Sequence, residues 1–208
     1  GVATALYTPF NPINKSVDYG AFSRLINRQL SANVNALVVL GTTGEAATIT
    51  EKERREIIKF CVKEVNGRIP LIVGSGSNCT ATAVKFSREA EESGADGLLV
   101  VTPYYNKCND DGLYAHYSAV AKSTSLPIIV YNVPTRTGFN VKPIVYRKLA
   151  EIDNVVAIKE ANCCDEQLNG VLDNVKDILA VYCGSDDKLI DVLRRGGKGT
   201  VSVASNII

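Results

Sequence analysis

The sequence predicts a (β/α)8 barrel, which is a closed ring of eight parallel strands covered by helices. Eight short runs rich in aliphatic and β-branched residues alternate with amphipathic segments along the 208 residues. The runs are apolar on both faces, as expected for parallel strands buried between crossover helices. A doubly wound open sheet is the competing architecture. However, no Gly-x-Gly-x-x-Gly follows an early strand, so nothing indicates a dinucleotide site.

The first half of the chain supplies four strands and three helices. Strands are predicted at residues 1–8, 36–40, 71–73 and 97–101. Helix 18–30 places four apolar side chains on one face, and the next helix begins at Thr50, where Thr-x-x-Glu has the form of a capping box. Helix 80–93 is predicted to end at Gly94, because glycine accepts the left-handed conformation that commonly closes a helix.

The second half continues the same alternation. Strands are predicted at residues 128–131, 155–158, 179–182 and 200–204. Helices are predicted at 113–124, 143–152, 167–175 and 188–195, from apolar residues at helical spacing.

Composition indicates a globular chain with one sizeable core. The sequence is 46% hydrophobic with a net charge of +1, which argues against nucleic acid or an anionic membrane as partner. No run approaches the roughly 18 apolar residues of a membrane span, and the N-terminus lacks the layout of a signal peptide. We therefore expect a cytoplasmic protein in which residues 1–208 form a single domain.

The cysteines do not indicate a metal site or a disulfide framework. No Cys-x-x-Cys pair occurs, and His116 is the single histidine. We expect reduced, structural thiols and neither a metal nor a cofactor. The six cysteines are Cys61, Cys79, Cys108, Cys163, Cys164 and Cys183.

A lysine stands at the C-terminal end of the buried strand predicted within residues 155–160. Lysines are seldom buried, so one alternative is that Lys159 turns out to water. One βα unit upstream, another apolar strand ends in Tyr131 and is followed by Arg136 in a Pro/Gly loop. If the two strands are parallel neighbours, the amine, the phenol and the guanidinium meet at one edge of the barrel.

Other strand ends of the predicted barrel also carry polar residues, and barrel chemistry is located at these ends. Residues 41–45 (Gly-Thr-Thr-Gly-Glu) form either a simple turn or a nest of amides and hydroxyls suited to a small carboxylate. Residues 102–106 contain two tyrosines, which could simply cover the core. Glu160 is expected to make a structural ion pair or hydrogen bond rather than a catalytic contact.

A lysine beside a tyrosine, without a histidine or a cofactor motif, indicates amine catalysis on a carbonyl. A neutral Lys159 attacks a keto group and loses water to give a protonated imine, which stabilises a carbanion at the adjacent carbon. Burial lowers the pKa of the amine and favours this neutral form. Tyr131 could transfer protons, and Arg136 offers two parallel donors to a substrate carboxylate.

Four stretches of the sequence together resemble the dihydrodipicolinate synthase family, which belongs to a pyruvate-dependent class I aldolase superfamily that also contains N-acetylneuraminate lyase. The resemblance covers the whole chain. The arginine in Asn-Val-Pro-x-Arg-Thr-Gly is the more specific sign of the synthase. The stretches are residues 41–45, 101–106, 131–138 and 158–161.

The resemblance implies that Lys159 forms an imine with pyruvate, which then condenses with L-aspartate 4-semialdehyde to give 4-hydroxy-tetrahydrodipicolinate in lysine biosynthesis. It implies a proton relay of Tyr131, Thr42 and Tyr105. Substrate is held by Thr43, which contacts the pyruvate carboxylate, by Arg136, which binds the semialdehyde carboxylate, and by Gly184 and Val201. In the family the equivalent of Tyr105 reaches a neighbouring subunit, so a homodimer or homotetramer is expected.

Two other functions stay open at this point. One is a pyruvate-dependent aldolase of a sugar-derived acid, of the N-acetylneuraminate or 2-keto-3-deoxygluconate type. The other is a non-catalytic fragment or binding protein on the same scaffold.

The chain also departs from the family in two ways. Asn78 and Tyr104 match the pocket by which some members bind lysine as an inhibitor, but Glu51, Arg54 and Thr82 do not, so lysine inhibition is not expected. Family members also continue beyond the eighth strand. We therefore expect a barrel truncated at both ends, without the eighth helix and the C-terminal helical segment.

Overall fold

In the computed structural model, eight parallel strands form a closed barrel in chain order, as the sequence predicts. The structure describes residues 1–162 and 164–208. Strand eight pairs with strand one, with Val201 opposite Ala3, and this pairing closes the ring. The strands are β1 (Val2–Ala5), β2 (Ala36–Val39), β3 (Leu71–Gly74), β4 (Gly97–Val101), β5 (Ile128–Asn132), β6 (Val155–Glu160), β7 (Ala180–Cys183) and β8 (Gly199–Ser202).

Helices connect the strands and cover the barrel. Within the described parts of the chain, none of them has the length and apolar character needed to cross a lipid bilayer. Short 3-10 turns occur at Ala46–Thr48, Asp186–Lys188 and, after β8, Ala204–Asn206. The α-helices are α1 (Tyr19–Ser31), α2 (Glu51–Val65), α3 (Thr80–Glu92), α4 (Asp110–Ala121), α5 (Pro134–Thr137), α6 (Pro143–Leu149), α7 (Asp165–Val175) and α8 (Leu189–Arg194).

Side-chain caps determine where several helices begin. The predicted capping box at the start of α2 is present. The Glu53 amide donates to Thr50 Oγ1 at 3.3 Å, and the Thr50 amide donates to Glu53 Oε2 at 3.0 Å. The prediction of residues 113–124 for α4 is wrong at both ends, since the helix spans Asp110–Ala121. It starts earlier because Asn109 Oδ1 accepts from the Gly112 amide at 2.8 Å.

Other predicted boundaries are corrected by local turns. Strand β1 ends at Ala5, and the chain then forms a small antiparallel bridge between Phe10 and Val17. Helix α6 stops at Leu149 rather than 152, because a tight turn leads directly into β6. The sequence did not predict α5, a single turn with a proline at its first position. Because of this additional turn, the helix numbered α8 is the one between β7 and β8, and the residues after β8 form only the 3-10 turn Ala204–Asn206. A 3-10 turn precedes α8, which begins at Leu189.

The core has two layers, one between strands and helices and one inside the barrel. Alternation along each strand assigns side chains to these layers, so Tyr131 faces the interior while its neighbour Val130 faces the helices. The interior layer contains several alanines. Its members are Ala3, Ala5, Ala36, Val38, Leu99, Ile129, Tyr131, Val133, Ala157 and Val201.

One irregularity interrupts the pairing between β5 and β6. Ile128 lies opposite Val155, but the next residue, Ile129, lies opposite Ala157, so the register skips Val156. Val156 is 43% exposed. Beyond this bulge the ladder is regular and places Lys159 opposite Tyr131.

Candidate active site

Lys159 lies near the C-terminal end of β6 with its side chain buried inside the barrel. Only 5% of the residue is exposed, so the alternative that it turns out to water is wrong. Its Nζ lies 4.3 Å from the centroid of the Tyr131 ring. The amine and the phenol therefore meet, as the spacing of the two strands predicts.

The environment of Lys159 favours the neutral amine. Burial lowers the pKa of Lys159 from 10.5 to about 8, and the positive charge of Arg136 acts in the same direction. The negative charge of Asp186 and, more weakly, an electrostatic interaction with Cys183 oppose this shift. With a pKa of about 8, roughly one amine in ten is neutral at pH 7, against fewer than about one in a thousand for an ordinary lysine.

Tyr131 remains protonated at neutral pH, and Thr42 connects it to the loop after β2. Burial raises the pKa of Tyr131, while a hydrogen bond with the Thr42 side chain and the charge of Arg136 lower it in part. The loop of residues 41–45 is a turn in which the amides of Gly44 and Glu45 donate to the carbonyls of Gly41 and Thr42. This turn presents the Thr42 hydroxyl to the phenol.

A cavity of about 550 Å³ opens beside these groups. Thr42, Tyr131 and Arg136 line it, and so do Arg54 and Phe86. Lys159 is not among the described residues that line the cavity; it lies against the Tyr131 ring.

Two of the predicted substrate-binding residues lie in or directly after strands of the barrel. Val201 is 1% exposed and belongs to the same interior layer as Tyr131. Gly184 follows β7 directly, and its amide donates to Glu160 O at 2.7 Å. A Cβ atom at Gly184 would lie 2.7 Å from Ala161 Cβ, so only glycine allows the ends of β6 and β7 to approach this closely.

Two other predicted residues lie at the surface of the loops. Thr43 is half-buried in the turn after β2 and does not line the cavity. Tyr105 is 90% exposed, with a left-handed backbone (φ +66°) that is rare for a tyrosine. Within one chain, the structure does not bring Tyr105 to Lys159 or Tyr131.

Sequence reasoning missed Asp186, whose negative charge raises the pKa of Lys159 against the effect of burial. Its Oδ2 accepts from the amides of Val203 at 3.2 Å and Ala204 at 3.0 Å. The carboxylate thus ties the end of β7 to the end of β8. The available signal was an acidic residue two positions after Gly184, at a strand end where only the glycine was considered.

Arg54, one of the departures from the family pattern, is a buried cation that lines the cavity. It is 4% exposed, its guanidinium stacks 4.3 Å over the Phe86 ring, and it donates to Gly74 O. Across residues 1–162 and 164–208, no carboxylate oxygen lies within 4.0 Å of it. Burial lowers the pKa of Arg54 to about 10, with the Glu89 charge opposing, so it stays charged at neutral pH.

The structure places no group of three His, Cys, Asp or Glu residues together in residues 1–162 and 164–208 that could hold a metal. The Cys183 thiol donates to Ser185 O at 2.9 Å, and Cys163 lies outside the described residues. Four cysteines carry no disulfide, namely Cys61, Cys79, Cys108 and Cys164.

Comparisons with known proteins agree on one family. The profile of the dihydrodipicolinate synthetase family matches residues 1–208. The 4-hydroxy-tetrahydrodipicolinate synthase of Alkaliphilus oremlandii is 48% identical over 208 residues, and that of Kosmotoga olearia is 47% identical over 210. Each alignment covers 100% of this chain and 71% of the relative. The crystal structure of dihydrodipicolinate synthase from Thermotoga maritima superimposes with a TM-score of 0.96 at 45% identity, over 100% of this chain and 71% of that one.

Proposed function

The chain belongs to the dihydrodipicolinate synthetase family, and on this premise we propose that it condenses pyruvate with L-aspartate 4-semialdehyde. The product is 4-hydroxy-tetrahydrodipicolinate, and the reaction belongs to lysine biosynthesis through diaminopimelate. The observation that carries the proposal is the buried Lys159 amine, with a pKa of about 8 and its Nζ 4.3 Å from the Tyr131 ring.

Imine formation begins with the neutral fraction of Lys159. The amine attacks the keto carbon of pyruvate, and the resulting carbinolamine loses its hydroxyl as water to give a protonated imine. Tyr131, whose raised pKa keeps it protonated, donates the proton that the departing hydroxyl needs. Thr42, hydrogen-bonded to the phenol, returns a proton to it.

Condensation uses the electron-withdrawing imine. Loss of a proton from the pyruvate methyl group gives an enamine, whose carbon attacks the aldehyde carbon of the second substrate. The amino group of that substrate then attacks the imine carbon and displaces Lys159, which closes the ring and regenerates the enzyme. In this scheme Arg136 holds the semialdehyde carboxylate, Thr43 holds the pyruvate carboxylate, and Gly184 and Val201 contact substrate.

A second copy of the chain completes the relay in this proposal. Tyr105 is 90% exposed, so it is free to enter the site of a neighbouring subunit. Assembly as a homodimer or homotetramer, a single domain over residues 1–208 and a cytoplasmic location all remain predictions.

Borohydride reduction in the presence of pyruvate tests the mechanism, because it fixes an imine as a stable secondary amine. We expect the intact mass to increase by one reduced pyruvate, located at Lys159 by peptide mapping. Lys159→Ala should lose the label, whereas the exposed control Lys122→Ala should keep it. Labelling that persists in Lys159→Ala would refute the assignment of the nucleophile.

Substrate assays separate the synthase from the other aldolases. Turnover of pyruvate with aspartate semialdehyde is expected, without cleavage of N-acetylneuraminate or 2-keto-3-deoxygluconate. Pyruvate labelling without turnover of any of these substrates would favour a non-catalytic binding protein.

A further inference from the structure

Asn132 and Glu160 form a buried polar pair directly behind the proposed site. Each follows a site residue in the chain, and they lie opposite each other in the β5–β6 ladder, next to the Tyr131–Lys159 pair. Because strand side chains alternate, Tyr131 and Lys159 face the barrel interior while this pair faces the helix layer. Asn132 is 0% exposed and Glu160 2% exposed.

Glu160 accepts hydrogen bonds from several elements at once. Asn132 Nδ2 donates to both carboxylate oxygens, at 2.9 and 3.1 Å. Tyr146 Oη on α6 donates at 3.1 Å, Gln167 Nε2 on α7 at 3.2 Å, and the Asn162 amide at 2.8 Å. The carboxylate is therefore a fixed point to which β5, α6, α7 and the loop after β6 are all attached.

Asn132 extends the same network to the loop before α6. Its Nδ2 donates to Asn140 Oδ1 at 2.9 Å, and its Oδ1 accepts from the Val141 amide at 3.3 Å. Gln167 closes a ring of contacts by donating to Val141 O at 2.9 Å. Each atom of the Asn132 amide thus has a fixed partner, which sets the orientation of the side chain.

The cost of burying this carboxylate indicates a role beyond stability. Across the described residues, no lysine, arginine or histidine nitrogen lies within 4.0 Å of Glu160. Burial raises the pKa of Glu160, and the hydrogen bonds only partly offset this effect. Well-packed apolar side chains are often at least as stabilising as a buried charged group.

We propose that the Asn132–Glu160 pair is a positioning device that holds Lys159 against Tyr131 for imine formation, an inference that rests on the proposed function. A slip of one residue between β5 and β6 would exchange the two faces, moving Lys159 into the helix layer and Glu160 into the barrel. The multiply bonded pair opposes such a slip at the adjacent ladder position. It also keeps the amine packed on the ring and away from water.

Glu160→Gln tests the proposal, because glutamine nearly preserves the size of the side chain but removes one acceptor oxygen. The measurement is the initial rate of pyruvate trapping by borohydride as a function of pH, which reports the ionisation of Lys159. The charged and titratable groups that act on Lys159 are unchanged in this variant, namely Tyr131, Arg136, Asp186 and Cys183.

We expect the midpoint of the trapping profile to rise from about 8 toward the ordinary lysine pKa of 10.5. A Lys159 side chain that is held less firmly is more exposed to water, and hydration stabilises its ammonium form. Each unit of increase lowers the neutral fraction at pH 7 about tenfold, so trapping at that pH should slow in proportion. If Glu160 only stabilised the fold, Glu160→Gln would lower the melting temperature without moving this midpoint.

Two variants separate positioning from general destabilisation. Ile58→Ala removes a fully buried side chain from α2, away from the β5–β6 ladder, and should lower the melting temperature while leaving the midpoint unchanged. The double variant Asn132→Asp with Glu160→Gln restores a carboxylate–amide pair with exchanged roles. The midpoint of the trapping profile in this double variant should return part of the way from its value in Glu160→Gln toward that of the unmodified protein.

Tyr146→Phe provides the milder test should Glu160→Gln fail to fold. It deletes one donor to Glu160 and should move the midpoint in the same direction by less. A lowered melting temperature with an unchanged midpoint in these variants would overturn the positioning role. Absence of pyruvate trapping in the unmodified chain would instead overturn the proposed function itself.

Discussion

Replacing Lys159 by methionine should stabilise the folded protein at neutral pH. Burial lowers the pKa of this lysine from 10.5 to about 8, so the folded state disfavours the ammonium that the unfolded chain carries. At about 1.4 kcal/mol for each pH unit, the depression corresponds to roughly 3 kcal/mol of lost stability below pH 8. Methionine has a similar length without the charge, and it removes this penalty.

The sign of the effect follows from proton binding. Between pH 8 and 10.5 the unfolded chain holds more protons at this site than the folded chain, so the stability of the unmodified protein rises with pH across this window. The advantage of Lys159→Met should be largest below pH 8 and should disappear near pH 10.5. For a chain of this size, roughly 3 kcal/mol corresponds to an increase in melting temperature of about 6 to 12 °C.

Urea denaturation at several pH values measures this difference directly. The exposed control Lys122→Met should change the free energy of unfolding by less than about 0.5 kcal/mol at every pH. Lys159→Met should also lose pyruvate trapping completely. An unfolding free energy at pH 7 equal to or below that of the unmodified protein would refute the conclusion that the amine is held in an unfavourable environment.

Three further predictions concern activity. Arg136→Ala should retain pyruvate trapping at about pH 9 but lose roughly 10- to 150-fold in turnover with semialdehyde, because a charge-assisted hydrogen bond is worth about 1.5–3 kcal/mol; equal losses for both substrates would contradict its role. Tyr131→Phe should slow imine formation by about 10²–10⁴-fold in stopped-flow measurements, and Thr42→Val should also slow it; an unchanged rate would exclude the relay. Millimolar L-lysine should leave turnover unchanged, since Glu51, Arg54 and Thr82 do not match the pocket by which some family members bind lysine; an inhibition constant in the millimolar range or tighter would show that reasoning to be wrong.

The barrel and the meeting of Lys159 with Tyr131 could be predicted because both depend on strong local patterns. Period-two alternation assigns adjacent residues to opposite faces, and the spacing of one βα unit makes the two strands neighbours. These rules require no knowledge of distant contacts. The same patterns place Tyr105 after β4, but its left-handed backbone and its exposure were not evident from residue type.

Features that depend on long-range partners could not be predicted. Glu160 was expected to make a structural contact, but its partners Tyr146 and Gln167 lie on two helices whose orientation the sequence does not reveal. The start of α4 was missed for a local reason. Its first turn is polar, so the apolar periodicity begins only at Leu113, after the Asn109 cap.

The bulge at Val156 has a consequence for how β6 can change length during evolution. A residue gained or lost before Ala157 can be absorbed where the ladder already skips a position, and the Tyr131–Lys159 pairing is retained. The same change between Ala157 and Lys159 would turn the amine into the helix layer. Among relatives, insertions and deletions in this strand should therefore be confined to its N-terminal end.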